Sequence, residues 1–136
     1  MHLTGLYPHW WQGLRFEKPI RAWAASITAE TTRDILQAAY IGNEETPGTL
    51  HPSLITNKTM KRGISNAIDT LNVHHASGGM SVLGFKSYDQ GREKFQGTSR
   101  HFIHLDEEPE LAIYEECLLR TLDVGGSLMM TMTPLK

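Results

Sequence analysis

Short apolar runs alternate along the chain with clusters of loop-forming residues, and the spacing within each run predicts its element. Ile20–Thr28 (IRAWAASIT) is almost continuously apolar and carries few helix signals, so it reads as a buried strand. Thr28 then stands where a helix N-cap belongs. Glu30 and Asp34 follow near the positive end of that helix, and Ile35, Leu36, Ala39 and Tyr40 keep helical spacing until Gly42 stops it. Asn43–Pro52 (NEETPGTLHP) is loop chemistry with Pro47-Gly48 as its turn, and Pro52–Arg62 is read as holding a short helix. Ala67–Ala76 and Met80–Tyr88 each alternate in polarity. With Ser77-Gly78-Gly79 between them they predict an antiparallel hairpin. Ahead of all this, residues 5–18 mix Gly and Pro with Tyr7, Trp10, Trp11 and Phe16. Those rings carry too much apolar surface for water, which predicts a loop packed on the fold.

The last third of the chain is more regular. Gly91–Phe95 reads as one helical turn ended by Gly97, and His101–Leu105 (HFIHL) as a strand with Asp106-Glu107-Glu108 at its C-terminal end. Pro109 suits the first turn of a helix. Leu111, Tyr114, Leu118, Leu119 and Leu122 form a stripe at helical spacing, predicted to face the core, before Gly125-Gly126. Ser127–Met132 (SLMMTM) is continuously apolar, as expected of a parallel strand covered on both faces, and Thr133-Pro134 closes it. Strand, helix and strand over about thirty residues make a βαβ unit with a right-handed crossover. Such sheets bind ligands beyond the C-terminal ends of their strands. Asp106-Glu107 and Thr131-Met132-Thr133 both fall there.

Composition narrows the field. The 136 residues suit one domain, and 40% hydrophobic against 21% charged residues exclude a charged disordered tail. A net charge of −2 excludes a generally basic nucleic-acid coat. One cysteine, Cys117, excludes an internal disulfide or a CxxC zinc site and fits a reducing compartment. No apolar run approaches the ~20 residues of a membrane span. The opening MHLTGLYPHWW lacks the pattern of a signal peptide. A soluble, intracellular chain is the expectation.

An apolar strand ending in adjacent acids suits nucleoside triphosphate hydrolysis. Asp106 would hold Mg²⁺ through water, since that ion keeps much of its hydration shell. Glu107 would polarise the attacking water. The competing reading is that Glu107, Glu108 and Glu110 simply complement the N-terminus of the following helix. The hydroxyls of Thr131 and Thr133, on the second parallel strand, would lie beside the acids and sense a γ-phosphate or its water. Ordinary strand termination is the alternative for them.

Five segments carry a resemblance in matching order: LYPHWWQGLRF (6–16), IRAWAASITAETTRDILQ (20–37), FKSYDQGREKFQG (85–97), LDEEPELAIYEECLLRT (105–121) and MTMTPL (130–135). From His2 to Leu135 the chain resembles the large subunit of bacteriophage terminases, the DNA-packaging motor. The resemblance implies an α/β fold: a partial RecA-like P-loop NTPase domain over residues 1–136, with parallel strands and an antiparallel β-hairpin. It implies that Asp106 and Glu107 match the Walker B acid and the catalytic glutamate. Thr131-Met132-Thr133-Pro134 would match the motif coupling hydrolysis to DNA movement, and Arg92 would contact phosphate, offered to a neighbouring subunit. ATP and Mg²⁺ would be the cofactors. Double-stranded DNA, the portal protein, the small terminase subunit and sister large subunits would be the partners, in the cytoplasm of a phage-infected or lysogenic bacterial host.

Two departures qualify these expectations. A phosphate-binding loop needs GxxxxGK[ST], and the chain has no Gly-Lys dipeptide. By the resemblance Met1 falls after that loop, and Lys136 precedes the family's nuclease domain. The chain alone is therefore expected to hydrolyse ATP negligibly. It is also expected to expose strand 127–132 as an unpaired edge and to self-associate through it, or to pair there with a separately encoded N-terminal piece. His104, where the family is apolar, argues against a fully buried strand or else sits on a face towards a polar cavity; as a departure it suggests a divergent copy such as a prophage remnant, acting as an interaction module or without activity.

Other candidates are weaker. His74 and His75 are adjacent on a strand and point to opposite faces, as do His101 and His104, so neither pair holds one metal ion. Trp10 and Trp11 beside His9 and Arg15 would suit stacking on bases, but a packed loop explains them too. Lys58, Lys61 and Arg62 read as a solvated basic face. Cys117 lies beside Glu116, whose charge disfavours a thiolate.

Overall fold

The computed structural model describes residues 1–133; Pro134, predicted to close the last strand, lies outside them. Its centre is β1 (Arg21–Ser26), where the apolar run RAWAAS is buried on both faces. Thr28 caps the helix that follows. Its hydroxyl accepts from the Thr31 amide, and the Thr31 hydroxyl accepts from the Thr28 amide. Helix α1 (Ala29–Thr31) runs into a π-helical turn (Thr32–Gln37) and on into α2 (Ala38–Ile41). Gly42 ends it at φ 82°, where an added Cβ would lie 2.5 Å from the Gly48 nitrogen, so helix end and Pro47-Gly48 turn pack backbone to backbone.

The expected helix over Pro52–Arg62 is instead one 3₁₀ turn (Pro52–Leu54) followed by strand β2 (Ile55–Met60). β2 is an outermost strand whose side chains are nearly all exposed. Its Asn57, Lys58 and Thr59 carry no apolar alternation to reveal it. The predicted hairpin is present as β3 (Ile68–His74) and β4 (Met80–Ser87). Two 3₁₀ turns follow, Tyr88–Gln90 and Arg92–Phe95, and then β5 (Phe102–Asp106), α3 (Leu111–Leu122) and β6 (Ser127–Thr131).

The six strands form one sheet in the order β2-β3-β4-β1-β5-β6. β4, β1, β5 and β6 are parallel, and the β2-β3 and β3-β4 pairings are antiparallel. This is an α/β fold, consistent with a partial RecA-like sheet. One face carries Ala22, Ala24, Leu71, Val73, Leu83 and Phe85 against Leu3, Leu36 and Leu50. The other carries Trp23, Ala25, Ile103 and Leu105 against Tyr88, Phe95, Ile113 and Cys117.

Three expectations are corrected here. The stripe of α3 that meets the core is Ile113, Cys117 and Thr121, with Tyr114 at its margin; Leu111, Leu118, Leu119 and Leu122 are exposed. β6 is not covered on both faces. Met129 and Met130 stay exposed, while the expected edge position holds: the single neighbour of β6 among the described residues is β5. In the aromatic loop, Tyr7 and Phe16 are partly covered as predicted, but Trp10 stands 65% exposed.

Among the described residues, no helix is long and apolar enough to cross a membrane.

Candidate functional site

The C-terminal ends of β1, β5 and β6 lie side by side, because the three strands are parallel and in register. Ala25 pairs with Leu105, and Asp106 with Thr131. The next position on each strand therefore forms one row, Ser26, Asp106 and Thr131. All three side chains point to the face that carries the helix of residues 29–41, since alternate residues of a strand share a face.

That row is hydrogen-bonded throughout. The Thr131 hydroxyl donates to Oδ1 of Asp106 at 2.8 Å, and the Ser26 hydroxyl to Oδ2 at 3.3 Å. One step further along, Oε1 of Glu107 accepts from the amide of Thr133 at 3.2 Å and from its hydroxyl at 3.1 Å. The Glu107 amide donates to the Thr131 carbonyl, which carries the β5-β6 ladder past the strand end. Four of the five residues expected to carry the chemistry are thus brought together: Asp106, Glu107, Thr131 and Thr133. Arg92 is not. It lies on the 3₁₀ turn that packs with α3, is largely exposed, and approaches Glu116 at 3.8 Å.

Glu107 adopts φ 67°, a left-handed conformation that a side chain with Cβ disfavours by about 1–2 kcal/mol. The surroundings hold it there. The Tyr88 hydroxyl lies 2.9 Å from the Asp106 carbonyl and 2.6 Å from the Glu107 carbonyl, anchoring both peptides of the turn. Burial, then the charges of Asp106, Cys117 and Glu107, push the Tyr88 phenol above its usual range, so it stays a donor.

Below Asp106 on the same face lies His104, 9% exposed. Its Nε2 is 2.9 Å from the Thr131 hydroxyl, and its Nδ1 is 3.0 Å from the hydroxyl of Tyr40 on α2. Burial lowers the His104 pKa, opposed by Asp106, and pushes Tyr40 up to about 12. Both groups are therefore neutral near pH 7. One alternative in the sequence reading sets His104 towards a polar cavity, but Ser26, Tyr88 and Tyr40 are not read there as parts of this site. The one available signal was position: Ser26 closes an apolar strand run at the end where such sheets bind ligands.

Among the described residues, no lysine or arginine comes within 4.0 Å of either carboxylate, and no three His, Cys, Asp or Glu side chains cluster as metal ligands. The donors at the row are all oxygens. Asp106 spends part of each oxygen on a hydroxyl and keeps the rest, which fits a hard cation held through its water shell and not a soft transition metal. The histidines have other duties. His75 is buried and bonded to Ser77 and the Phe16 carbonyl, and His101 accepts from the Arg21 amide. Cys117 is fully buried. Burial first, then Glu116, pushes its thiol up to about 12, so it is no nucleophile near neutral pH.

In comparison with known proteins, the chain is similar to the terminase large subunit of Salmonella phage P22. The two are 34% identical over 156 aligned positions, which cover 98% of this chain and 31% of that protein. The chain thus spans about a third of the length of its curated relative. No protein-family model matches it, and no solved structure does.

Proposed function

From this homology to one part of a phage terminase large subunit, we propose that the chain serves in phage DNA packaging and supplies the acid half of an ATP-driven motor site. The observation that carries the proposal is the pairing of each carboxylate with a threonine of the neighbouring strand, Asp106 with Thr131 and Glu107 with Thr133. In this reading Asp106 holds Mg²⁺ through water, with Ser26 and Thr131 fixing the carboxylate's orientation. Glu107, turned out of the strand by its left-handed backbone, accepts a proton from the attacking water. Thr131 and Thr133 link both acids to β6, so a displacement of either acid is felt by the strand carrying the coupling residues. Bound Mg²⁺ would neutralise charge developing on the phosphates.

For the triphosphate itself the residues fit only in part. The acids and hydroxyls are present, but the sequence has no GxxxxGK[ST] cradle. The chain alone is accordingly expected to turn over ATP negligibly. Its partners in packaging would be double-stranded DNA, the portal protein, the small terminase subunit and sister large subunits, in the cytoplasm of an infected or lysogenic host. In this reading Arg92, exposed on its 3₁₀ turn, would be offered to a neighbouring subunit. His104, polar among Phe102, Ile103 and Leu105 of β5, favours a second reading, an inactive relic that acts only as an interaction module.

Calorimetry separates the two. MgATP is titrated into the chain alone and into the chain with an added polypeptide carrying a P-loop. Heat of binding with the added segment, lost in Asp106→Asn, supports the motor reading. No binding under either condition supports the relic.

A further inference from the structure

The hydrogen bonds from His104 towards the Asp106 carboxylate admit one direction only. The Asp106 carboxylate can only accept, so the single proton of the Thr131 hydroxyl is spent on Oδ1 of Asp106. The contact between Thr131 Oγ1 and His104 Nε2 then needs its proton from the ring, which makes Nε2 the N–H nitrogen. A neutral imidazole has one N–H, so Nδ1 is bare and accepts from the Tyr40 hydroxyl. The reverse arrangement would set the lone pairs of the Thr131 hydroxyl against a carboxylate oxygen at 2.8 Å with no proton between them.

We propose that His104 is a positioning residue for Asp106, the second member of a polarised relay that runs from Tyr40 through His104 and Thr131 to the Asp106 carboxylate. The ring touches no substrate. It fixes the rotor of the Thr131 hydroxyl, and that hydroxyl fixes Oδ1 of Asp106. Because Tyr40 lies on α2, His104 on β5 and Thr131 on β6, the relay ties the helix after β1 to the strand that leads into the acids and to that strand's neighbour. Each donor polarises the next, so the chain of bonds is stiffer than its separate links. An apolar residue at position 104 would fill the same space and break the relay in the middle. The role assigned to Asp106 as a metal-holding group rests on the function proposed above; the relay itself does not.

The test uses the whole chain labelled with ¹⁵N and ¹³C. Imidazole spectra near neutral pH should show His104 with Nε2 protonated and Nδ1 bare. A ring protonated at Nδ1 overturns the proposal. Two variants follow, with the amide spectrum reporting that each is folded. His104→Leu should displace the Asp106 side-chain carboxyl resonance and weaken Mg²⁺ binding there by roughly 10-fold. His104→Gln, which offers an amide donor and an acceptor of similar reach, should restore both. An unmoved Asp106 resonance in a folded His104→Leu overturns the positioning role. Should His104→Leu not fold, Thr131→Val decides instead: the fixed tautomer must be lost, and its persistence overturns the relay. If Mg²⁺ moves no Asp106 resonance in the unaltered chain, the metal reading fails, while the tautomer and the displaced carboxyl still decide the relay.

Discussion

The hydroxyl of Thr131 lies 2.8 Å from Oδ1 of Asp106, joining the ends of two parallel strands that are 25 residues apart in the chain. A hydrogen bond to a charged group contributes on the order of 1.5–3 kcal/mol, and exposure of the threonine reduces that here. Thr131→Val should therefore cost about 1 kcal/mol of stability. Urea denaturation checks it through a lowered midpoint at an unchanged slope.

The backbone of Glu107 stores strain that glycine would release. Glu107→Gly and Glu107→Ala both lose the bonds to Thr133, but only alanine keeps the disfavoured φ of 67°. The glycine variant should be the more stable of the two by about 1 kcal/mol. Thermal unfolding of the pair measures this, and equal stability would show that the turn is not strained.

Tyr88 holds that turn through its hydroxyl alone, its ring being packed in the core with Phe95 and Cys117. Tyr88→Phe keeps the ring and removes the one proton that the Asp106 and Glu107 carbonyls share, so it should cost about 1–2 kcal/mol. Amide exchange should quicken at residues 106–108 more than elsewhere in β5.

Cys117 predicts the alkaline behaviour. Its ordinary thiol value is 9.0 and burial raises it to about 12 in the folded state. The folded chain then binds the proton more tightly than the unfolded chain between those values. The resulting stability is fully present below pH 9 and is lost as pH rises towards 12. In Cys117→Ala the decline in stability over that window should be shallower by one proton, read from denaturation midpoints across the range.

The open edge of β6 should drive association. Met129 and Met130 are exposed, and among the described residues β6 is paired on one side alone, leaving a template for a second strand. Sedimentation should show concentration-dependent self-association, reduced by Met130→Lys. A monomer at every concentration would contradict it.

Much of this fold was legible because its cues are local. The hairpin announced itself through two alternating runs around Gly78-Gly79, and the acids through an apolar strand that stops at Asp106. α3 was seen but its face misread. Its exposed leucines are more apolar than the buried Cys117 and Thr121, so periodicity favoured the wrong stripe. β2 was missed because an edge strand of Asn, Lys and Thr needs no apolar pattern. The partners of Asp106 were half legible. Thr131 sits at a predicted strand end, but Ser26 is 80 residues away in sequence, and no spacing rule reaches that far.

The π-helical turn at Thr32–Gln37 sets the angular phase of everything after it. Each residue advances a helix by about 100°, and a π turn absorbs an extra residue without advancing the axis in proportion. Removing one residue from that stretch would let the segment relax to regular α-helix. Tyr40 would then keep its face of the helix; the full sequence wound as α-helix throughout would instead carry it about 100° further round, its oxygen away from the sheet. A wider coil set between Thr32, which holds the Ser26 amide, and Tyr40, which holds the His104 ring, thus acts as the dial that keeps the two in tune.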